Sequence, residues 1–267
     1  AYSILSDTSR NCAGGHTPWQ TWLSCEEIDK GKVWECDPFG IDPPRVREKL
    51  GSFNHEAIAF DIVNQKLYLT EDVPDGCLYR YTAHTFDTKG YPDLDDGFLE
   101  VAKVSNNRIG KVQWHRLPDP LATTTPTRKQ LKNVSYFNGG EGIWYHDGSV
   151  YFTTKGDDRV WAYHILDSQL TIVYNAADYL WPILTGVDNI TANTSGDLLV
   201  AEDGGNLQIV VISDQNVFPL LQIVGQDHSE ITGPAFSPDS TRLYFSSQRG
   251  KSGRSEDGIT YEITGPF

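Results

Sequence analysis

The sequence predicts an all-β protein, and more narrowly a β-propeller of five four-stranded blades, with six blades as the alternative. Five short segments of the 267-residue chain share one pattern, an apolar run that closes on a small or polar residue. The closing positions are Glu26, Glu71, Thr154, Glu202 and Ser247, with separations of 45, 83, 48 and 45 residues. A period of about 46 residues suits a propeller blade. Few helical patterns compete with these strands.

Each of these segments is predicted to be the second strand of a blade. Another apolar segment precedes it, and turn sequences such as Asp147-Gly148 and Ser195-Gly196 join the two segments as a hairpin. The first strands begin near five positions that lie 13 to 15 residues earlier: Cys12, Glu56, Glu141, Asn189 and Thr232. Further apolar runs at 77–83, 98–104, 158–165 and 207–213 supply outer strands.

The one long spacing of the repeat falls on residues 84–137, which are rich in turns and prolines. We expect a long loop insertion around 84–137 over one mouth of the propeller, with a degenerate sixth blade as the alternative. Residues 258–265 are expected to complete a blade with residues 2–5, so that N- and C-terminal strands close the ring. The prediction is a single propeller domain that spans residues 1–267.

The composition of the chain restricts its partners. A hydrophobic fraction of 39% is enough for a sizeable core. The formal net charge of −14 argues against nucleic acid or an anionic membrane as a partner. No apolar stretch reaches the roughly 18 residues that a membrane span needs. We expect a monomer with no nucleic-acid partner and no membrane span.

Acidic residues recur in register in the repeat. Because the first strand of each blade lines the central channel, first-strand starts and second-strand ends should meet at one mouth. These positions supply Cys12, Glu26, Glu27, Glu56, Glu71, Asp72, Glu141, Asn189 and Glu202. Two unit charges about 4 Å apart repel by roughly 4 kcal/mol at an effective dielectric of 20, so the cluster needs cations. Carboxylate and amide oxygens suit Ca²⁺, whereas a thiolate indicates a softer ion such as iron.

Segments over nearly the whole chain also resemble the PhoX family of alkaline phosphatases. The resemblance is carried by RNCAGGHTPWQTWLSCEE, NHEAIAFD with KLYLTED, GGEGIWYHDGSVYFTTKGDDRVWAY, DNITANTSGDLLVAEDGG, and GPAFSPDSTRLYFSSQRG with GITYEITGPF. The family implies a β-propeller with iron and calcium ions at the channel mouth, used to hydrolyse phosphomonoesters outside the cytoplasm. An extracellular or periplasmic location and a small phosphorylated substrate are therefore expected.

The resemblance also implies roles for the acidic residues. Cys12 would bind Fe³⁺, with Glu56 and Glu141 nearby. Calcium ligands or bridging ligands would be Glu26 or Glu27, Glu71 or Asp72, Asn189, and Glu202. Strand register decides which member of each adjacent pair points inward, so both members are named. The family pattern has more material before this motif, whereas eleven residues precede Cys12 in this sequence, so we expect a shortened member with five blades instead of six.

Positive side chains should flank a site that binds phosphate. Lys155, Arg159 and Arg249 stand at or just beyond second-strand ends, and a bidentate arginine would bind phosphate well. His16 and His55 are next to proposed ligands, and either could give a proton to the leaving group. The favoured hypothesis is metal-assisted hydrolysis of a phosphomonoester, with Lys155, Arg159, Arg249 and His16 as the catalytic candidates.

Two other functions stay open from the sequence. A calcium-dependent lactonase or phosphotriesterase would need one calcium ion held by Glu56, Glu141 and Asn189, but it would leave Cys12 without a role. A non-catalytic, metal-stabilised binding propeller is the alternative from another class. Neither Gly-x-Ser-x-Gly nor a P-loop occurs, so a serine hydrolase or a nucleotide triphosphatase has no support.

Overall fold

The computed structural model describes residues 2–105, 109–214 and 216–267, and in this part of the chain it contains twenty β-strands, five 3₁₀ helices and no α-helix. The strands are β1 (Asn11–His16), β2 (Trp22–Glu26), β3 (Val33–Cys36), β4 (Arg45–Val46), β5 (His55–Asp61), β6 (Lys66–Glu71), β7 (Leu78–Ala83), β8 (Gly97–Val104), β9 (Gly110–Arg116), β10 (Gly140–His146), β11 (Ser149–Thr154), β12 (Arg159–His164), β13 (Gln169–Asn175), β14 (Val187–Ala192), β15 (Leu198–Glu202), β16 (Gln208–Ser213), β17 (Asn216–Gln222), β18 (Ile231–Phe236), β19 (Arg242–Ser247) and β20 (Ile259–Thr264). The 3₁₀ helices are Glu48–Leu50, Thr127–Lys129, Lys155–Asp157, Ala176–Asp178 and Ser255–Asp257. None of the helices in these ranges is long and apolar enough to cross a membrane.

The strands form four sheets with up-and-down order. The orders are β1-β2-β3-β4, β10-β11-β12-β13-β9-β8-β7-β6-β5, β14-β15-β16-β17 and β18-β19-β20. The first and third sheets are the four-stranded units that the repeat predicts. The all-β propeller fold class is thus confirmed, and the number of blades stays a prediction.

The nine-stranded sheet joins two repeats that the sequence predicts as separate. Strand β9 pairs with β13, with Lys111 opposite Gln169 and Gly110 opposite Leu170. Within the predicted loop insertion around 84–137, β8 matches the outer strand predicted at 98–104, whereas β9 is not predicted and corrects the insertion, although residues 106–108 lie outside the described residues. In 110–116 the apolar residues Val112 and Trp114 alternate with polar ones, but His115 and Arg116 end this pattern after two apolar positions, so it is too short to mark a strand.

The last sheet has three strands, where a fourth from residues 2–5 is predicted. Residues 2–10 contain no strand, so the N-terminal segment does not complete this sheet. The physical reason is local, since positions 2–10 are mostly exposed and lack an alternating apolar face.

The chain divides into two compact units. Unit 1 comprises Ala1–Val150 and Ala162–Thr171, and unit 2 comprises Tyr151–Trp161 and Ile172–Phe267. One domain over 1–267 stays a prediction. The core of unit 1 contains Leu23, Cys25, Val33, Leu50, Phe53, Ile58, Leu67, Leu69, Cys77, Tyr79, Tyr81, Ala83, Leu94, Leu99, Val101 and Leu117. A core of unit 2 contains Leu199, Ala201, Leu207, Ile209, Val211, Ile231, Leu243 and Phe245.

Alternation along the strands builds both cores, because successive side chains of a strand point to opposite faces of its sheet. In β15 and β16 the residue pairs Leu199 and Ala201, and Ile209 and Val211, lie two apart and share a buried face. The four cysteines are thiols, with Cys25, Cys36 and Cys77 buried and Cys12 exposed.

Candidate functional site

A β-bulge lies at the start of the first strand in several repeats. In β1, Asn11 is opposite Glu26 and Gly14 is opposite Ser24, so residues 12 and 13 face one residue of β2. The same irregularity follows His55 in β5 and Val187 in β14. Because a bulge re-aims the side chains next to it, it can turn the first residue of the strand toward a site.

The ends of the second strands settle which acid of each pair faces the blade interior. Glu26, Glu71 and Glu202 are all buried. Each of the three accepts a hydrogen bond from the backbone N–H six residues later. The donors are Lys32 at 2.9 Å, Cys77 at 3.1 Å and Gln208 at 3.0 Å. These carboxylates therefore fix the turn that leads to the third strand of their own sheet.

Further bonds hold the same three carboxylates. Glu26 accepts from Thr8 Oγ1 at 2.7 Å and from Trp34 Nε1 at 3.1 Å. Burial raises the pKa of this carboxyl, but these bonds outweigh burial and lower it. Glu202 accepts from the N–H of Thr185 at 3.0 Å, while its burial raises its pKa.

Glu71 is fully buried, with an exposed fraction of 0%. It accepts from Tyr79 Oη at 2.7 Å and from Arg128 Nη1 at 2.9 Å. Burial raises its pKa despite these partners. Glu26, Glu71 and Glu202 bind groups of the protein inside their sheets, and their roles as metal ligands stay a prediction.

Glu27 and Asp72, which follow the buried Glu26 and Glu71, point away from the blade interior. Each belongs to one of two clusters in unit 1. In the first cluster, the ligand atoms of Cys12, Glu27 and Glu56 all lie within 4.8 Å of one another. In the second cluster, oxygens of Glu56, Asp72 and Glu141 meet the same limit. Five of the nine predicted metal ligands are thus brought together.

Glu56 belongs to both clusters and has an exposed fraction of only 1%. Its neighbours in the clusters come from β1, from the end of β2, from the end of β6 and from β10. Three carboxylates this close repel one another by several kcal/mol unless protons or cations neutralise them. The thiol with two carboxylates fits an iron ion, and the three carboxylates fit calcium. The donor sets therefore suit the two metals that the sequence predicts.

Asn189 lies in unit 2, and its amide oxygen has partners within the protein. The amide oxygen accepts from Thr232 Oγ1 at 2.9 Å and from the N–H of Gly233 at 2.6 Å. Its Nδ2 donates to Asp188 Oδ1 at 2.8 Å. These bonds join the side chain to β18, and the ligand role of Asn189 stays a prediction.

A chain of opposite charges lies in unit 2. Lys155 Nζ is 2.7 Å from Asp203 Oδ2 and 3.4 Å from Asp188 Oδ2. Arg249 Nη2 is 2.8 Å from Glu230 Oε2. Burial and the neighbouring Asp203 raise the pKa of Glu230 to about 7, whereas the bond from Lys155 lowers that of Asp203. Lys155 and Arg249 have acidic partners here, and phosphate binding by these two stays a prediction.

Arg159 also lies in unit 2 and is tied to its surroundings. Its Nη1 is 2.6 Å from Asp157 Oδ2, and its Nε donates to Asn175 Oδ1 at 3.3 Å. The guanidinium lies over the ring of Trp161 at 5.5 Å. These contacts give Arg159 a structural role and do not support the predicted catalytic one.

The two predicted proton donors are poorly placed. Cys12 lies near the start of β1, and His16 is the last residue of the strand, opposite Trp22 of β2. Four residues of extended strand place the two about 13 Å apart. The role of His16 beside the Cys12 cluster is therefore corrected. His55 is buried against Phe53, with ring centroids 3.6 Å apart, and burial lowers its pKa to about 3. It is neutral at neutral pH.

Sequence reasoning places Asp203 with Glu202 at a second-strand end, but it missed Asp188 and Glu230, which form a charged group with Asp203 in unit 2. The available signal was position in the repeat, because Asp203 follows Glu202 just as Glu27 follows Glu26 and Asp72 follows Glu71. The residue after each buried glutamate is the one that leaves the blade interior.

Comparisons with known proteins show what this chain is similar to. The family model described as alkaline phosphatase PhoX matches residues 2–35 and 29–169. No curated protein sequence matches at a significant level. The structure of Pseudomonas fluorescens PhoX in complex with vanadate, a transition state analogue, is 19% identical with a TM-score of 0.72, and the match covers 96% of this chain and 69% of that one.

Two other solved structures share the fold at lower similarity. The gluconolactonase XC5397 from Xanthomonas campestris is 12% identical with a TM-score of 0.52, and the match covers 87% of this chain and 67% of that one. The GH74 enzyme of Niastella koreensis is 11% identical with a TM-score of 0.56, and the match covers 98% of this chain and 36% of that one. At these identities the structural likenesses show the fold alone.

Proposed function

Since the chain belongs to the PhoX alkaline phosphatase family, we propose that it hydrolyses phosphomonoesters at a metal centre held by unit 1. The observation that carries the proposal is the shared Glu56, which belongs to a cluster with a thiol and to a cluster of carboxylates. A shared carboxylate can bridge two ions, and a pair of ions suits the in-line displacement of a phosphoryl group.

Each cluster would hold a different ion. Cys12, Glu27 and Glu56 would hold iron, since a thiolate is a poor calcium ligand. Asp72 and Glu141, together with Glu56, would hold calcium. The bound ions would act as Lewis acids on the phosphoryl oxygens and would activate a water molecule.

The contribution of the protein is to gather and orient the charges. Glu56 is held where water has little access, and Thr70 Oγ1 donates to the backbone carbonyl of Glu141 at 2.5 Å, which fixes the start of β10. Pre-positioned carboxylates bind cations without a large cost of reorganisation. We propose a small phosphorylated substrate, a monomeric enzyme and an extracellular or periplasmic location, in line with the family.

The experiment is elemental analysis of the purified protein, together with turnover of p-nitrophenyl phosphate before and after treatment with a chelator. We expect iron with calcium, and turnover that the chelator removes and the metals restore. Calcium alone would favour a lactonase or phosphotriesterase, and no bound metal would favour a binding module. No turnover by fully metal-loaded protein would overturn the proposal.

A pair of thiol variants makes the test specific. Cys12→Ala should remove iron and lower turnover by at least 100-fold, because it deletes the one soft ligand of the first cluster. Cys25→Ala is the matched control, since that thiol is buried in the core of unit 1. Cys25→Ala should keep the bound metals and the turnover. A loss of turnover in this variant as well would show that removal of a thiol acts through altered folding.

A further inference from the structure

A cavity of unit 1 lies beside the hairpin that joins β1 and β2. It is at the opposite end of β1 from Cys12. Its volume is about 310 Å³, at the lower end of the roughly 300–1,000 Å³ that small-molecule sites occupy. Trp19, Phe86 and Tyr91 supply its aromatic wall, and Glu35, Arg47, Asp87 and Asp93 supply its charged groups. We call this cavity the Trp19 pocket.

The loop between β7 and β8 presents two of the aromatic rings. Asp87 Oδ1 accepts from the backbone N–H of Lys89 at 2.8 Å and of Tyr91 at 2.9 Å. Gly90 adopts a φ of +84°, a conformation that favours glycine. Phe86 forms a β-bridge with Pro92. The loop is therefore a closed turn that holds Phe86 and Tyr91 on the same pocket.

The ring of Trp19 is fixed at the centre of the pocket wall. Its centroid is 5.3 Å from that of Tyr91, with 48° between the two planes, so that the two rings form a corner. Phe60 packs on Trp19 edge to face at 5.4 Å. Trp19 Nε1 donates to Glu35 Oε1 at 2.6 Å. Phe86 is 51% exposed and is thus accessible at the rim.

The charge of the pocket is negative. Arg47 is its one lining cation, and the guanidinium is bound by Glu35 through Nε at 2.6 Å and by Asp95 through Nη1 at 2.6 Å. Burial raises the pKa of Glu35, but bonds from Trp19 and from Thr21 and the charge of Arg47 outweigh burial and lower it. Glu35 is therefore ionised at neutral pH. Asp87 and Asp93 add two more negative charges.

We propose that the Trp19 pocket binds a small alkylated ammonium cation of the choline type. Aromatic faces attract an alkylammonium group through their quadrupoles, and carboxylates at the rim add attraction for its charge. Asp87 and Asp93 would repel an anionic ligand, and they would add no electrostatic attraction for a neutral apolar ligand. The proposal does not depend on the metal centre, so chelator-treated protein should bind equally well.

The test is calorimetric titration of the full chain with choline and with 3,3-dimethylbutan-1-ol, which has the same shape and no charge. We expect choline to bind at least tenfold more tightly than the alcohol, with and without chelator. Equal binding of the two ligands, or no heat from choline at tens of millimolar, would overturn the proposal. Phosphatidylcholine vesicles distinguish the two sources of the cation. Co-sedimentation of the protein with the vesicles indicates a lipid headgroup, and choline binding without co-sedimentation indicates a soluble ligand.

Variants locate the binding in the pocket. Phe86→Ala and Asp87→Asn should each weaken choline binding at least fivefold, and asparagine keeps an oxygen for the turn. Phe39→Ala is the matched control, because Phe39 is 66% exposed and lines the adjacent cavity of about 380 Å³ instead. An unchanged choline affinity in both Phe86→Ala and Asp87→Asn would place the binding elsewhere and refute the assignment.

Discussion

Thr70 and Glu141 are joined by a hydrogen bond of 2.5 Å, from the hydroxyl of the one to the backbone carbonyl of the other. Both residues are buried, and the bond links the end of β6 to the start of β10 in unit 1. Unit 2 contains a corresponding bond of 2.5 Å from Thr153 Oγ1 to the carbonyl of Asp188. The repeat thus uses a second-strand hydroxyl to position an acidic residue of the following first strand.

Thr70→Val should lower the free energy of unfolding by about 1–3 kcal/mol, because it leaves the buried carbonyl of Glu141 without this donor. It should also weaken metal binding by unit 1, since Glu141 loses its fixed position. Chemical denaturation and metal titration measure the two effects. Thr153→Val is the control, with a similar loss of stability and unchanged metal affinity in unit 1. Equal metal affinities in all three proteins would contradict the argument.

Glu26→Gln and Glu27→Gln should have opposite effects. Glu26 is held by four protein donors, among them Thr8 and Trp34, so its amide variant should lose about 1–3 kcal/mol of stability and keep its metals. Glu27→Gln should lose metal at the Cys12 cluster with little change in stability. Thermal melts of metal-free protein and elemental analysis measure this difference. The reverse pattern would show that the register assigned to β2 is wrong.

Arg128→Met should be strongly destabilising. It leaves the buried Glu71 without its cation, and breaking such a pair costs about 3–5 kcal/mol. The pKa of Glu71 is already raised by burial and should rise further, so the loss should be larger at pH 8 than at pH 5. Urea unfolding at both pH values measures it.

Two further variants control this experiment. Adding Glu71→Gln to Arg128→Met should recover part of the stability, since the unpaired charge is then gone. Lys129→Met removes a half-exposed partner of Asp75 and should change stability little, because solvent screens an exposed ion pair. A loss in Lys129→Met as large as that in Arg128→Met would assign the effect to surface charge.

Glu230 should make stability depend on pH between its ordinary and its folded pKa. Its pKa is raised from 4.5 to about 7, so the folded protein binds its proton more tightly than the unfolded chain does. Stability from this group is fully present below pH 4.5 and is lost as the pH rises to about 7. The shift corresponds to an upper limit of about 3 kcal/mol.

Glu230→Gln should remove this dependence and raise stability at pH 8 relative to the unsubstituted protein. Urea unfolding from pH 4.5 to pH 8 measures the difference between the two proteins. The exposed Glu256→Gln serves as the control and should leave the pH profile unchanged. Parallel profiles for Glu230→Gln and the unsubstituted protein would mean that Glu230 does not share a proton with Asp203.

The sequence predicts the repeat well, because alternation and turn residues are local signals. It places the second strands that end at Glu26, Glu71 and Glu202, and the structure ends β2, β6 and β15 at those residues. It also names all five members of the two clusters in unit 1. The choice within each acidic pair needs the strand register, which the sequence leaves open at Glu26–Glu27 and Glu71–Asp72.

Other features depend on contacts that no local pattern contains. Asn189 has a metal-ligand side chain, but its partners Thr232 and Gly233 lie more than forty residues away. His16 is near Cys12 in the sequence, yet an extended strand separates the two. Strand β9 is hidden because His115 and Arg116 break its apolar alternation.

The pairing of β9 with β13 has a consequence for the behaviour of the protein in concentrated solution. An outer strand with unsatisfied N–H and C=O groups is a template on which a second molecule can add its own strand. In the nine-stranded sheet, β9 and β13 pair with each other, so each strand satisfies backbone N–H and C=O groups of the other. The outermost strand β4 offers only two residues, and β17 carries Pro219, which lacks a donor. We expect these features to discourage intermolecular strand addition at these strands, so that addition should occur more readily at β20, the outer strand of the three-stranded sheet.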